Sequence, residues 1–147
     1  MCYYTSEMAC PYFFPVEPRA QAGQNAMLPL GDAWAGVCRA DPRQPWHPDE
    51  SILRPLCNLG YARGSCARFP VADGPDAVRF AVSHDNGACL RIYLVVEREH
   101  LPFAHGPLEY SQANGAFLDP PPDETIRRQA RAYVESYLRR KSEALGP

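Results

Sequence analysis

From residue 76 onward, apolar and polar positions recur with a regular period. In AVRFAVSH, residues 77–84, Val78, Phe80 and Val82 alternate with Arg79, which predicts a half-buried strand. Asp85, Asn86 and Gly87 follow as a hairpin turn signal. ACLRIYLVVERE, residues 88–99, then places Leu90, Ile92, Leu94 and Val96 on one face of a second strand. GPLEYS, residues 106–111, predicts a short third strand. Beyond DPPP the period changes. Ile126, Ala130, Tyr133, Val134, Tyr137 and Leu138 fall at helical spacing. Asp123 and Glu124 at the start of this segment, and Arg139, Arg140 and Lys141 at its end, suit the helix dipole.

The first 74 residues lack such a period. They hold five of the six cysteines and nine of the sixteen prolines. CPYFFPVEP and ADPRQPWHP read as extended or turn-rich, because proline fixes its own φ and restrains the residue before it. Two short helical pieces are expected, over residues 32–37 and 49–56. In the second, Asp49 caps a turn that buries Ile52, Leu53 and Leu56. The fold class expected is α+β, a single domain over residues 1–147. Residues 1–74 form a loop-rich, four-cysteine, metal-binding half. Residues 75–147 form an antiparallel hairpin or small sheet packed on a C-terminal helix.

Length and charge narrow the functional classes. The chain has 147 residues and a net charge of −2, which gives no general attraction to nucleic acid or membrane. All but one of the fifteen basic residues are arginine, a bias that fits a GC-rich bacterial genome. No apolar run reaches the roughly 18 residues that a membrane span needs. The opening MCYYTSEMAC lacks the cationic and apolar regions of a secretory signal. A cytoplasmic location is therefore expected, and there six cysteines serve as free thiols or metal ligands rather than disulfides.

Cys10, Cys38, Cys57 and Cys66 lie in segments flanked or broken by proline or glycine. Cys89 opens an apolar strand and reads as a core residue, and Cys2 lies at the terminus. Four unrelated buried thiols are the plain alternative to a shared site. Two arguments favour sharing. A half with little regular structure needs cross-links to offset its chain entropy, and metal ligation supplies them. Thiolates also need N–H donors, which turns containing Gly60 and Gly64 can present. The gaps between successive candidates are 27, 18 and 8 residues, without the close cysteine pairs typical of structural zinc sites. Well-separated single ligands suit an iron–sulfur cluster, [4Fe-4S] above all, with zinc as the alternative metal. Tyr12, Phe13, Phe14, Trp34, Trp46, Tyr61 and Phe69 crowd the same segments and can exclude water, or serve simply as core.

CNLGYARGSCARFP, with ACPYFFP upstream and DAVRFAV downstream, resembles a pattern in uncharacterised bacterial four-cysteine proteins with iron–sulfur or metal-binding character. The resemblance spans residues 10–109. It implies that Cys10, Cys38, Cys57 and Cys66 act together, and it carries no assigned activity.

Other constellations are weaker. His100 and His105 are five positions apart beside Pro102, so only a loop could join them, and ordinary surface roles fit both. Ser83, His84 and Asp85 are triad residue types, but neighbours on a strand point to opposite faces. Cys66 lacks an identifiable general base, which argues against an enzyme. The arginine-rich C-terminal helix reads as a solvated face. The leading expectation is a small iron–sulfur protein, working in electron transfer or redox sensing with a protein partner. A zinc-stabilised interaction module and a Cys66-dependent enzyme are the alternatives. Residues 58–65, with Arg63, are the expected exposed lip where a partner approaches.

Overall fold

A computed structural model describes residues 8–19, 28–72 and 74–144. The fold is α+β, with two antiparallel sheets and a long C-terminal helix. β3 (Ala77–Asp85), β4 (Cys89–Arg98), β5 (Leu101–Ser111) and β6 (Ala116–Phe117) form a four-stranded meander in that order. β1 (Phe13–Arg19) and β2 (Ala33–Cys38) pair as a separate sheet. α1 (Glu50–Ile52) runs directly into a π-helical stretch, Leu53–Asn58. α2 (Glu124–Ala144) completes the chain.

The alternation in β3 and β4 resolves as the sequence implies. Val78 pairs with Val96, Phe80 with Leu94 and Val82 with Ile92, so their apolar side chains share one face. α2 lies on that face. Its Ile126, Ala130, Tyr133 and Val134 are buried, and the Tyr133 ring stacks on Phe80 with centroids 5.6 Å apart. The Asp123 carboxylate accepts from the Ile126 N–H at 2.9 Å and starts the helix. Asp49 caps α1 in the same way, accepting from the Ser51 N–H. One apolar core joins both halves, with Cys10, Phe13, Trp34 and Leu53 packed together with Val78, Leu90, Ile92 and Val134.

Two expectations need correction. Residues 32–37 are not helical, because residues 33–38 form β2. Asp32 does not cap a helix there. Its backbone N–H donates to the Ser136 hydroxyl, and its carboxylate accepts from Ser136, Arg139 and Arg140 of α2. A Cβ at Gly36 would stand 2.1 Å from the Phe14 carbonyl, so a glycine lets β1 approach β2 this closely. The third long strand is also nearly twice its expected length. Pro102 and Pro107 fit within β5 because a second neighbour, β6, pairs only with Tyr110 and Ser111. The first half is thus more regular than its proline content implies.

The turn from β4 to β5 is strained. Glu99 and His100 both adopt left-handed backbone, with φ of 54° and 64°. Asp76 and, from the cysteine-bearing half, Tyr61 hold it. The Glu99 N–H donates to the Asp76 carboxylate at 2.7 Å, and the His100 N–H to the Tyr61 hydroxyl at 3.0 Å.

Candidate metal centre

Each of the four cysteines is placed by its own backbone hydrogen bonds. Cys10 begins a tight turn with Pro11 next, in which its carbonyl accepts from the Phe13 N–H at 3.2 Å. Its N–H donates to the Cys57 carbonyl at 3.1 Å, which ties the first candidate to the third. Cys38 ends β2 and exchanges two hydrogen bonds with Trp46, at 2.6 and 3.2 Å. Cys57 is carried by the π-helical stretch, a geometry that re-aims side chains and recurs at functional sites. Cys66 closes a turn in which its N–H donates to the Ala62 carbonyl at 2.7 Å.

The two glycines between Cys57 and Cys66 have left-handed backbone, with φ of 122° at Gly60 and 87° at Gly64. At Gly60 a Cβ would also stand 2.3 Å from the Pro55 carbonyl. The loop therefore folds back over the π-helical stretch only with glycine there. Asn58, fully buried, locks the base of the loop. Its carboxamide oxygen accepts from the Trp34 N–H at 2.8 Å, and its NH2 donates to the Trp34 and Leu53 carbonyls, both at 2.9 Å.

These elements bring Cys10, Cys38, Cys57 and Cys66 to the wall of one pocket, together with Phe13, Trp46, Leu56 and Phe69. The free space at its centre is about 10 Å³. Burial, with a smaller push from the neighbouring Cys38 and Cys66 thiols, raises the Cys10 thiol to about 12, against the lowering effect of backbone hydrogen bonds from Tyr12 and Phe13. Burial raises Cys57 more strongly still, again reinforced by Cys10, Cys38 and Cys66. Such a group stays protonated unless a cation is present to stabilise the thiolates. Among the described residues, no group of three or more His, Cys, Asp or Glu side chains is arranged to hold a metal ion.

Cys10, Cys38 and Cys57 are buried, while Cys66 is half-buried. Arg68 lies beside Cys66 in the pocket wall, exposed, with its guanidinium over the Trp46 ring at 4.6 Å. The exposed lip is narrower than residues 58–65. Asn58 is buried, and Arg63 is drawn inward to an ion pair with Asp76, with further hydrogen bonds to the Pro70 and Ala72 carbonyls. Gly64, Ser65, Ala67 and Arg68 are the exposed positions around Cys66.

The remaining candidates take structural roles. Cys89 is half-buried rather than core, and its S–H donates to Glu109 at 3.2 Å, a contact that raises its pKa. Cys2 lies outside the described residues. His100 stacks on Tyr61 with centroids 4.1 Å apart, whereas the His105 Nδ1 bonds the Tyr93 hydroxyl at 2.6 Å, so each histidine has its own tyrosine. Ser83 donates to the Arg91 carbonyl, and Asp85 binds Tyr137 and Lys141, so no triad forms.

One residue at the site escaped sequence reasoning. Gln129 is fully buried on α2, and its NH2 donates to the Cys10 and Phe13 carbonyls, both at 2.7 Å. The available signal was a polar residue on the otherwise apolar face of the helix, three residues after Ile126.

Comparison with protein-family models, curated proteins and solved structures finds no match. No helix among the described residues is long and apolar enough to cross a membrane.

Proposed function

We propose that the protein is a small iron–sulfur protein whose single cluster is held by Cys10, Cys38, Cys57 and Cys66. The observation that carries this reading is the convergence of the four thiols on one apolar pocket from segments 27, 18 and 8 residues apart. The donor set is all sulfur, which selects iron–sulfur clusters or zinc. A tetrahedral zinc ion with bonds of about 2.3 Å holds its sulfurs within about 3.8 Å of one another.

When bound, a cluster supplies one-electron chemistry. The chain's own residues exclude water through Phe13, Trp46 and Phe69, and they leave one half-buried ligand, Cys66, facing the surface beside Arg68. That edge suits electron exchange with a protein partner, or redox sensing.

Zinc is the second reading, and the small free space, about 10 Å³, favours it. In that case the protein is a structural or interaction module. Serine substitution at each of the four cysteines, with iron and zinc assayed in the purified chain, tests the ligand set. Each variant is expected to lose most of its metal, whereas Cys89→Ser keeps it. Full metal retention in any two of the four would refute the set.

A further inference from the structure

A second concave site lies away from the cysteines, between the start of α2, β1 and the β6 strand. It is an open groove of about 400 Å³, large enough for a small organic ligand. Phe14, Phe117 and Pro120 give it an apolar floor, and Arg127, Arg128 and Arg131 stand around it. Glu124 is its sole acidic lining residue, and Arg39 engages that carboxylate at 3.1 Å.

The three guanidiniums are held differently. Arg128 spends its charge on Glu135 at 3.4 Å and its second nitrogen on the Val16 carbonyl at 3.1 Å. Arg127 donates to the Pro121 carbonyl, and Arg131 to the Gly115 carbonyl, both at 3.1 Å. A carbonyl fixes a guanidinium in place without neutralising it. Among the described residues, neither Arg127 nor Arg131 forms an ion pair with a carboxylate. The groove therefore presents two positioned cations without a carboxylate partner beside Phe117 and Phe14, one face of the Phe14 ring being covered by the Arg39 guanidinium at 3.8 Å. Planar guanidinium donors match a carboxylate well, and the aromatic floor rewards an apolar body.

We infer that this groove binds a small organic carboxylate with an aromatic or branched apolar body. Its carboxylate sits on Arg127 and Arg131, and its body on Phe14, Phe117 and Pro120. The site is independent of the cysteine centre.

Phenylacetate titrated into the full chain, followed by calorimetry, tests the site, with phenylacetamide and inorganic phosphate as controls. The expected result is saturable phenylacetate binding that Arg127→Gln and Arg131→Gln each weaken by about tenfold or more. The neutral amide, which lacks the charge, and phosphate, which lacks the body, should both bind at least about tenfold more weakly than phenylacetate. Arg131 is exposed, so Arg131→Glu serves as a second variant that leaves the fold intact by its melting curve. No saturable phenylacetate binding, equal binding of the amide or phosphate, or unchanged affinity in the arginine variants would overturn the proposal.

Discussion

The side-chain amide of Gln129 on α2 donates to the carbonyl of Cys10 at 2.7 Å, across 119 residues of sequence. The same NH2 reaches the Phe13 carbonyl, so one helical residue spans the turn that presents the first cysteine. Among the described residues its own carbonyl oxygen has no partner, so the donors do this task.

Gln129→Leu should therefore lower stability by about 2 kcal/mol, the usual cost of stripping hydrogen bonds from buried carbonyls. Gln129→Glu should cost more, because it sets a carboxylate against two carbonyl oxygens. Urea denaturation of both variants checks this. Stability equal to the parent chain in both would show that the amide does not hold the turn.

Acid should weaken the fold through Asp85. Hydrogen bonds from Lys141, the Gly87 N–H and Tyr137 hold its carboxyl well below the usual carboxylate range. At Asp76, burial pushes the pKa up, but the Glu99 N–H and Arg63 outweigh it and leave a net lowering. A depressed folded pKa gives stability that is fully present above the unfolded value of about 3.9, and that is lost as pH falls toward the folded value. Asp85→Asn should thus be less stable than the parent near neutral pH, with the gap closing below about pH 4. A gap that stays constant from neutral pH into acid, measured by denaturant unfolding, would contradict the linkage.

In metal-free protein the thiols should react in a set order. Cys66 is half-buried at the surface edge, while Cys10 and Cys57 are buried and held protonated by burial and by the thiols around them. Timed alkylation near pH 8, read by mass spectrometry of peptides, should label Cys66 well before Cys10 and Cys57. Simultaneous labelling of all three would mean that the pocket is open.

The parts legible in the sequence were those governed by local periodicity. The alternation of Val78, Phe80 and Val82, the Asp85–Gly87 turn signal and the apolar stripe through Tyr133 each specify an element without reference to the rest of the chain. The four cysteines were selected by their irregular surroundings, and all four are among the residues that line one pocket, which leaves their role as ligands a proposal. β2 was not legible, because a short apolar run such as residues 33–38 does not by itself separate strand from helix. Its strand conformation depends on long-range bonds to Ser136 and on the close approach of Gly36 to Phe14. Arg63 was misplaced for the same reason, since its partner Asp76 lies beyond the loop that carries it. Gln129 and Asn58 act on backbone carbonyls that sequence pattern alone does not locate.

The central claim rests on what the four thiols hold, and visible absorption with iron and sulfide analysis on anaerobically purified protein tests it most directly. The protein should be brown, with broad absorption near 400 nm and about four iron atoms and four acid-labile sulfides per chain. That colour should fade in the serine variants of Cys10, Cys38, Cys57 and Cys66. A colourless protein with zinc and no iron would contradict the cluster while keeping the ligand set. A colourless protein with no metal of either kind would contradict both.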